Sequence, residues 1–436
     1  MFEYVDNFFN YIYQVGPSKL LRIFWFFVFF EFARFFLFEF LVLILWRIRR
    51  IAQKDLYAEA RRKLYIERPL ISIIVPGKNE GKHIFKLVSS MREQTYNNFE
   101  FIVVDDGSDD DTEKICRSLE KNGLIDLFIR NEVRGGKASA ANTAYRFSRG
   151  KIIIHLDADC SYDNDAIEKI LIPFYLDEQI GAVGGNVMVR NYEDNLCTTL
   201  QAIEYADTIS AGRITTSYLG LYRVISGAFG AFRKDALDRV VGWDIGPGLD
   251  GDITLKLRKL GYKIGFEPDA VCQTSVPDTY RKLTKQRLRW DKSIIRFRVR
   301  KHKDVFYPNE LFNWANFISS FENITYNIVL NIKWWVYIID MVINFTSLIG
   351  FIIPFNIILY TCSNYLKYIC FSMFRDRKNE SITYFLIYMP CMVFYFGYYL
   401  RVVRTIAYFS EFFFKKSYDD PWNPSKSSRH AKELKI

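Results

Sequence analysis

The chain has 436 residues, a formal charge of +10, half of its residues hydrophobic and 17% of them aromatic. Its seven cysteines are scattered, with no Cys-x-x-Cys pair and no histidine at ligand spacing; that excludes a zinc module and reads as reduced, packed thiols. No basic stripe with interleaved aromatics points to nucleic acid, so the positive charge fits a cytosolic membrane face and phosphate-bearing substrates.

The apolar residues gather at both ends, while residues 50–305 hold most of the charge. This is the layout of a soluble domain between membrane segments, two or three domains in all. Residues 1–19 read as an amphipathic segment, and the spacing predicts a transmembrane helix over 20–48, within "LLRIFWFFVFFEFARFFLFEFLVLILWRIRR". About 20 apolar residues cross a bilayer core, and this run is too long for a signal peptide and lacks a cleavage site. Glu31, Arg34 and Glu39 each cost ~3 kcal/mol at mid-membrane. Glu31 and Arg34 are three apart and are predicted to pair with each other, facing neighbouring helices. The basic cluster that follows, from Arg47 to Lys63, places the next domain in the cytosol.

"LISIIVPGKNE" (70–80) predicts a buried strand ending in a functional loop, and "HIFKLVSSMREQ" then has a helical period. "FEFIVVDDGSDDDT" (99–112) predicts a second strand carrying Asp105 and Asp106 at its end, before a helix stopped by Gly123. "RGGKASAAN" (134–142) places two glycines and Lys137 before a helix, which suits a diphosphate. "KIIIHLDAD" (151–159) is a further strand, with a helix from about Asp163. The alternation argues for a parallel sheet with helices on both faces, its ligands at the carboxyl ends of the strands. Asp157 and Asp159 are two apart in extended chain, so both side chains face one way. Two adjacent carboxylates repel unless a cation lies between them, and Mg²⁺ or Mn²⁺ takes one or two carboxylates plus substrate phosphates. The competing reading of this short motif is an acidic surface loop.

Further on, "GLDGDITLKLRKLGY" holds Asp250 and Asp252 at a helix start, where Asp252 is predicted to cap the helix. In "KQRLRW" (285–290) Gln286 and Trp290 share a helix face. "IIRFRVRKHK" and "LFNWANFISSFENITYN" read as interfacial helices within 283–330. Residues 331–414 hold transmembrane helices, with a turn expected near Pro354 and a cytosolic "RDRKNE" loop; 415–436 form a basic cytosolic tail.

"VPGKNE", "VVDDGS", "GGKASAAN", "LDAD", "SGAFGAFRKDAL", "GLDGDITLKLRKLGY" and "QRLRW" stand in the order found in membrane-bound family 2 glycosyltransferases, a group that includes cellulose, hyaluronan and poly-N-acetylglucosamine synthases. The chain resembles them over roughly residues 65–305. The resemblance implies a GT-A fold over 65–282 and a UDP-sugar donor. It implies that Pro76, Glu80, Asp105 and Asp106 bind the donor's uridine end, that Lys137 contacts the donor, and that Asp157 and Asp159 serve metal and diphosphate. Asp250 falls at the family's catalytic base, and Gln286, Arg289 and Trp290 match its acceptor motif. Two residues depart from the pattern: Leu249 replaces the usual glutamate, and Lys78 stands where a small or aromatic residue is common.

The expected function is inverting, processive transfer of a sugar to the non-reducing end of a β-linked glycan, with translocation across a plasma or inner membrane. Two other readings stand beside it: single transfer to a membrane lipid, as in ceramide glucosyltransferases, and a transporter or receptor with a non-catalytic nucleotide domain. The sequence names neither the sugar nor any accessory export subunit.

Overall fold

The computed structural model describes residues 21–244, 248–346, 349–374 and 382–418, with isolated positions before residue 21. The "RDRKNE" loop, nearly all of the basic tail and most of the N-terminal amphipathic segment lie outside the described residues. The chain divides into two compact units, one of residues 1–48 and 322–405, the other of residues 49–321 and 406–436.

The second unit is built on an eight-stranded sheet. Its strands are β1 (Ile71–Gly77), β2 (Phe99–Asp105), β3 (Leu127–Arg130), β4 (Ile152–Leu156), β5 (Ser161–Tyr162), β6 (Ile180–Val189), β7 (Phe229–Arg233) and β8 (Lys263–Thr274), in the order β3-β2-β1-β4-β7-β6-β8-β5. The near-continuous β-branched runs of β1, β2 and β4 are buried along almost their whole length, as parallel strands covered on both faces must be. Helices Gly81–Arg92, Thr112–Lys121 and Lys137–Phe147 make the crossovers. The expectation of a wholly parallel sheet holds for this half and for the β6–β8 pair, but not throughout. β7 pairs antiparallel with both β4 and β6, and β5 pairs antiparallel with β8, so the sheet is mixed. A strand inserted beside β4 from 70 residues downstream leaves no local signal. The helix expected from about Asp163 begins at Ala166.

In the first unit, Ile23, Phe26, Leu330, Trp334, Tyr337, Met341, Phe345 and Ile352 form an apolar cluster. Two helices among the described residues, Trp314–Asn344 and Ile349–Ser372, are long and apolar enough to cross a membrane. The expected turn at Pro354 is not there: Pro354 lies in the second turn of the helix Ile349–Ser372. So near a helix start, a proline removes one backbone hydrogen bond and the helix tolerates it. The expected Glu31–Arg34 pair is also corrected. Glu31 pairs with Arg401, while Arg34 pairs with Glu322 at 2.7 Å and Glu39 at 3.1 Å. Glu31 and Arg34 do face neighbouring helices, which supply Arg401 and Glu322; Glu39, further along the same continuous helix, is a second partner of Arg34.

Candidate active site

The carboxyl ends of β1, β2 and β4 are level. Gly77 is in register with Asp105, Ile74 with His155, and the Asp106 N–H donates to the Gly77 carbonyl at 2.8 Å. Three loops therefore open on one edge.

At the exit of β2 the two aspartates are surrounded by donors. Asp105 is buried and accepts from Ser108 N at 2.9 Å, from Ser108 Oγ and from Arg130. Burial pushes its carboxyl up, although these contacts oppose it. Asp106 accepts from the backbone N–H groups of Gly135 and Gly136, both at 2.8 Å, and from Asn131 Nδ2 at 3.2 Å. Gly136 has φ +88°, a left-handed conformation natural to glycine, and it leads directly into the helix that starts at Lys137. Asp106 thus fixes the glycine turn that aims Lys137. The departure at Lys78 has a local reason: its amine reaches the Gly107 carbonyl at 2.6 Å and Asp109 at 3.0 Å, tying the β1 loop to the β2 loop. Pro76 is buried in β1 opposite Val104.

At the exit of β4 the surroundings are reversed. Asp157 pairs with Lys137, and Asp159 is half-buried beside it. Burial and the Asp157 charge push the Asp159 carboxyl up. Glu80, from the β1 loop, is pushed up to about 7 by burial and by the charges of Asp159 and Asp157. Three carboxylates crowd one place with a single lysine among them.

Asp250 approaches from the other side. It lies in the first turn of the helix Leu249–Lys259, which starts at Gly248 with φ +95°. Its Oδ2 accepts from Gly227 N at 3.0 Å. A Cβ added to Gly227 would lie 2.8 Å from Asp250 Oδ1 and 3.2 Å from Lys137 Nζ, so only glycine lets these two side chains meet over the backbone. Burial raises the Asp250 carboxyl above its ordinary value, and Lys137 opposes that rise. Lys137 in turn is held protonated: burial works against its charge, but Asp157 and Asp250 outweigh it.

The expectation for Asp252 is corrected. The helix starts four residues earlier, at Gly248, and Asp252 caps nothing. It is buried and receives His302 Nε2 and Lys301 Nζ, both at 2.7 Å. Burial works to raise its carboxyl, but these two contacts leave it below the usual carboxylate range.

The helix Tyr280–Ile294 carries Gln286, Arg289 and Trp290, and its N-cap Thr279 accepts from Lys282 N. Gln286 and Trp290 are half-buried and Arg289 is exposed. Arg287, between them, is buried and makes a bidentate pair with Glu204 at 2.9 and 2.7 Å, its guanidinium lying 4.6 Å from the centre of the Trp290 ring. Beyond Trp290 the helix widens into a π-helical stretch, Ile295–Lys301. A Cβ on Gly251 would meet the Phe297 ring at 2.4 Å, so this stretch packs directly on the first turn that holds Asp250. Sequence reasoning missed Gly227, Glu204 and Gly251. Gly227 stands in a quoted motif, but nothing local shows what lies over it; Glu204 has no signal, because its partner is 83 residues away.

Carboxylates at the carboxyl edge of a mixed α/β sheet, facing a further acid on a separate helix, are an arrangement that suits an enzyme of the GT-A fold. Comparisons with known proteins agree. The description of glycosyl transferase family 2 matches residues 72–241. The poly-beta-1,6-N-acetyl-D-glucosamine synthase of Staphylococcus epidermidis is 32% identical over 306 residues, 70% of this chain and 69% of that protein. The synthase of the same name from Staphylococcus aureus strain COL is 33% identical over 222 residues, 50% of this chain and 53% of its own. Among solved structures, the mannosyltransferase PcManGT of Pyrobaculum calidifontis, in complex with GDP-Man and Mn²⁺, matches with a TM-score of 0.54 at 19% identity, over 86% of this chain and 99% of that one. The chain belongs to glycosyl transferase family 2 and is a glycosyltransferase.

Proposed function

We propose that this enzyme transfers N-acetylglucosamine from its UDP conjugate to the non-reducing end of a β-linked polysaccharide, repeatedly and with inversion, and passes the product across the membrane. The sugar is proposed from the names of the staphylococcal relatives. The observation that carries the chemistry is the meeting of Asp250, Lys137 and Asp157 over Gly227, beside Glu80 and Asp159.

In this reading Pro76, Glu80, Asp105 and Asp106 shape the uridine end of the donor site, with Asp106 acting through the glycine turn it holds. Lys137 meets the diphosphate. Asp250 takes the proton from the acceptor hydroxyl as its oxygen bonds to C1 of the sugar. The bond from C1 to the diphosphate oxygen breaks, and UDP leaves with the electron pair. A general base contributes typically 10²–10⁴-fold. A raised carboxyl pKa makes Asp250 a stronger base than a free aspartate, and Lys137 keeps it ionised. Gln286, Arg289 and Trp290 hold the acceptor, and the Glu204–Arg287 pair keeps the indole in place from below.

The acids fit a divalent cation. The charges of Asp159 and Asp157 help to raise Glu80, and that of Asp157 helps to raise Asp159, the mark of a site short of positive charge. Among the described residues no three histidine, cysteine or acidic side chains form a ready metal cage. This matches Mg²⁺ or Mn²⁺, which bind through one or two carboxylates and complete their shell with substrate phosphates. Such an ion would be held by Asp157 and Asp159 and would neutralise the departing diphosphate.

For the membrane, the proposal keeps the span at 20–48, interfacial helices over 283–330, spans within 331–414, and the sheet domain 65–282 and tail 415–436 on the cytosolic side. The helix Ile349–Ser372 is long and apolar enough for a span within 331–414; the other such helix, Trp314–Asn344, starts inside the stretch given to interfacial helices and runs on into the span region. The test is to give the purified full chain UDP-N-acetylglucosamine alone in lipid nanodiscs. A polymer that glycanases cut to oligosaccharides supports the proposal. A product of one sugar on a lipid, or UDP release with no glycan, overturns it.

A further inference from the structure

Away from the sheet edge, two guanidinium groups are buried with no acid beside them. Arg298, on the π-helical stretch after Trp290, is 3% exposed, and Arg258, near the end of the helix Leu249–Lys259, is 8% exposed. Arg258 donates from Nε to Asn316 Oδ1 and from Nη1 to the Tyr222 carbonyl, both at 2.7 Å. Arg298 donates from Nη2 to the Arg223 carbonyl at 3.3 Å. These acceptors are all neutral, and among the described residues neither arginine makes an ion pair. An arginine cannot shed its proton inside a protein, and a buried charge with no counter-charge is strongly unfavourable. Burial, with Arg223 and Arg258 nearby, brings Arg298 down to about 9, and burial alone brings Arg258 down to about 10.

A second observation points the same way. Asn316 and Ser320 are 3% and 1% exposed, yet Asn316 Nδ2 and Ser320 Oγ have no hydrogen-bond partner among the described residues. The two lie four apart, on one face of the helix Trp314–Ile324. An amide N–H₂, a hydroxyl and two cations all lack the same thing, a negatively charged oxygen acceptor. Arg258 is eight residues beyond Asp250, about 12 Å along the helix axis at 1.5 Å per residue, so the diphosphate of the donor does not supply it. On the same helix Trp314, Ile318 and Phe321 are exposed. The helix runs on without a break to Asn344, and the exposed apolar stripe at its start suits entry into a bilayer at the headgroup layer, where phosphates are abundant.

We propose that Arg258, Arg298, Asn316 and Ser320 form a phosphate-binding site whose occupant in the membrane is the headgroup of an anionic phospholipid. Guanidinium forks match phosphate oxygens bidentately, and the Asn316 amide and Ser320 hydroxyl complete the donor set.

The test uses the full chain in nanodiscs of phosphatidylcholine, with and without phosphatidylglycerol. The wild type is expected to retain phosphatidylglycerol through detergent exchange and size exclusion, read by mass spectrometry of extracted lipid, and to melt higher when it is present. Arg298→Met and Arg258→Met are expected to lose retention by about tenfold, the change that one charge-assisted hydrogen bond represents, and to melt at one temperature in both lipids. Because each variant is compared with itself in two lipids, a change in its own stability does not confuse the result. Should inorganic phosphate at moderate concentration displace the lipid signal or raise the melting temperature equally in phosphatidylcholine, the phosphate site stands and its occupant is a soluble anion. Equal retention by wild type and both variants, or no effect of either phosphate source on the wild type, overturns the site. The outcome is independent of which sugar the enzyme transfers.

Discussion

Strands β2 and β4 leave the same edge of the sheet, and each ends in two aspartates, but the two pairs meet opposite surroundings. Asp105 and Asp106 accept from backbone N–H groups, a serine hydroxyl and an asparagine amide; every oxygen has work to do inside the protein. Asp157 and Asp159 have one lysine between them and the Glu80 carboxylate close by. On the proposed function, the supply of protein donors separates an acid that builds a loop from one that would meet a cation and a substrate. Asp250 belongs to the second kind: one backbone N–H, a glycine that makes room for it, and a lysine whose charge it shares.

The comparison is broken most directly at Asp250. Asp250→Asn is expected to cut transfer by about 10²–10⁴-fold while UDP-sugar binding, followed by calorimetry, stays near wild type. Loss of donor binding instead would place Asp250 on the wrong side of the reaction. Next comes Asp159→Asn, expected to lower turnover steeply and raise the Mg²⁺ or Mn²⁺ concentration needed for half-maximal rate, with an unchanged circular dichroism spectrum. Full activity of EDTA-treated wild type would end the metal reading. A smaller effect sharpens the contrast through pH. Burial raises the Asp250 carboxyl and Lys137 holds it down, and the base must be ionised to work. Removing that cation with Lys137→Met should therefore shift the acid limb of the pH–kcat profile to higher pH, besides weakening donor binding; a limb that stays in place would show that Lys137 does not reach Asp250. The smallest effect belongs to the other kind of acid. Asp106→Ala leaves the Gly135 and Gly136 N–H groups without their acceptor and should cost about 1–3 kcal/mol of stability, measured by urea unfolding of the intact chain. If Asp106→Ala is as stable as wild type, donor supply is no guide to an acid's role.

Much of the site was legible because its acids end β-branched runs, and continuous apolar runs alternating with helices bring such ends to one edge. β1, β2 and β4 were found this way, and so was the helix that begins at Lys137. The mixed half was not, since β7 joins β4 antiparallel through pairing that no local pattern encodes. Asp252 was misread because an aspartate before an apolar helical run looks like a cap; a left-handed glycine had already begun the helix, and the partners of Asp252 lie about 50 residues on. Glu31 and Arg34 were paired by their spacing, whereas Arg401, Glu322 and Glu39 compete for them in three dimensions. Spacing states what a helix permits; it does not rank that contact against partners from elsewhere in the chain.

The contact between Gly251 and the Phe297 ring carries a consequence for the product. With no side chain on Gly251, the Phe297 ring sits directly against the main chain of the Asp250 helix, so the span from Asp250 to the Trp290 indole is set by main chain on one side and one aromatic ring on the other. On the proposed function, a sugar resting on that indole would present several hydroxyl groups, and this span would choose the one that falls within reach of the carboxylate. Regioselectivity would then be a property of helix spacing as much as of pocket chemistry. Gly251→Ala would push the two helices apart by a few tenths of an ångström or more, and its signature in methylation analysis would be a mixture of linkages where the wild type makes one; an unchanged linkage would place that choice elsewhere in the site.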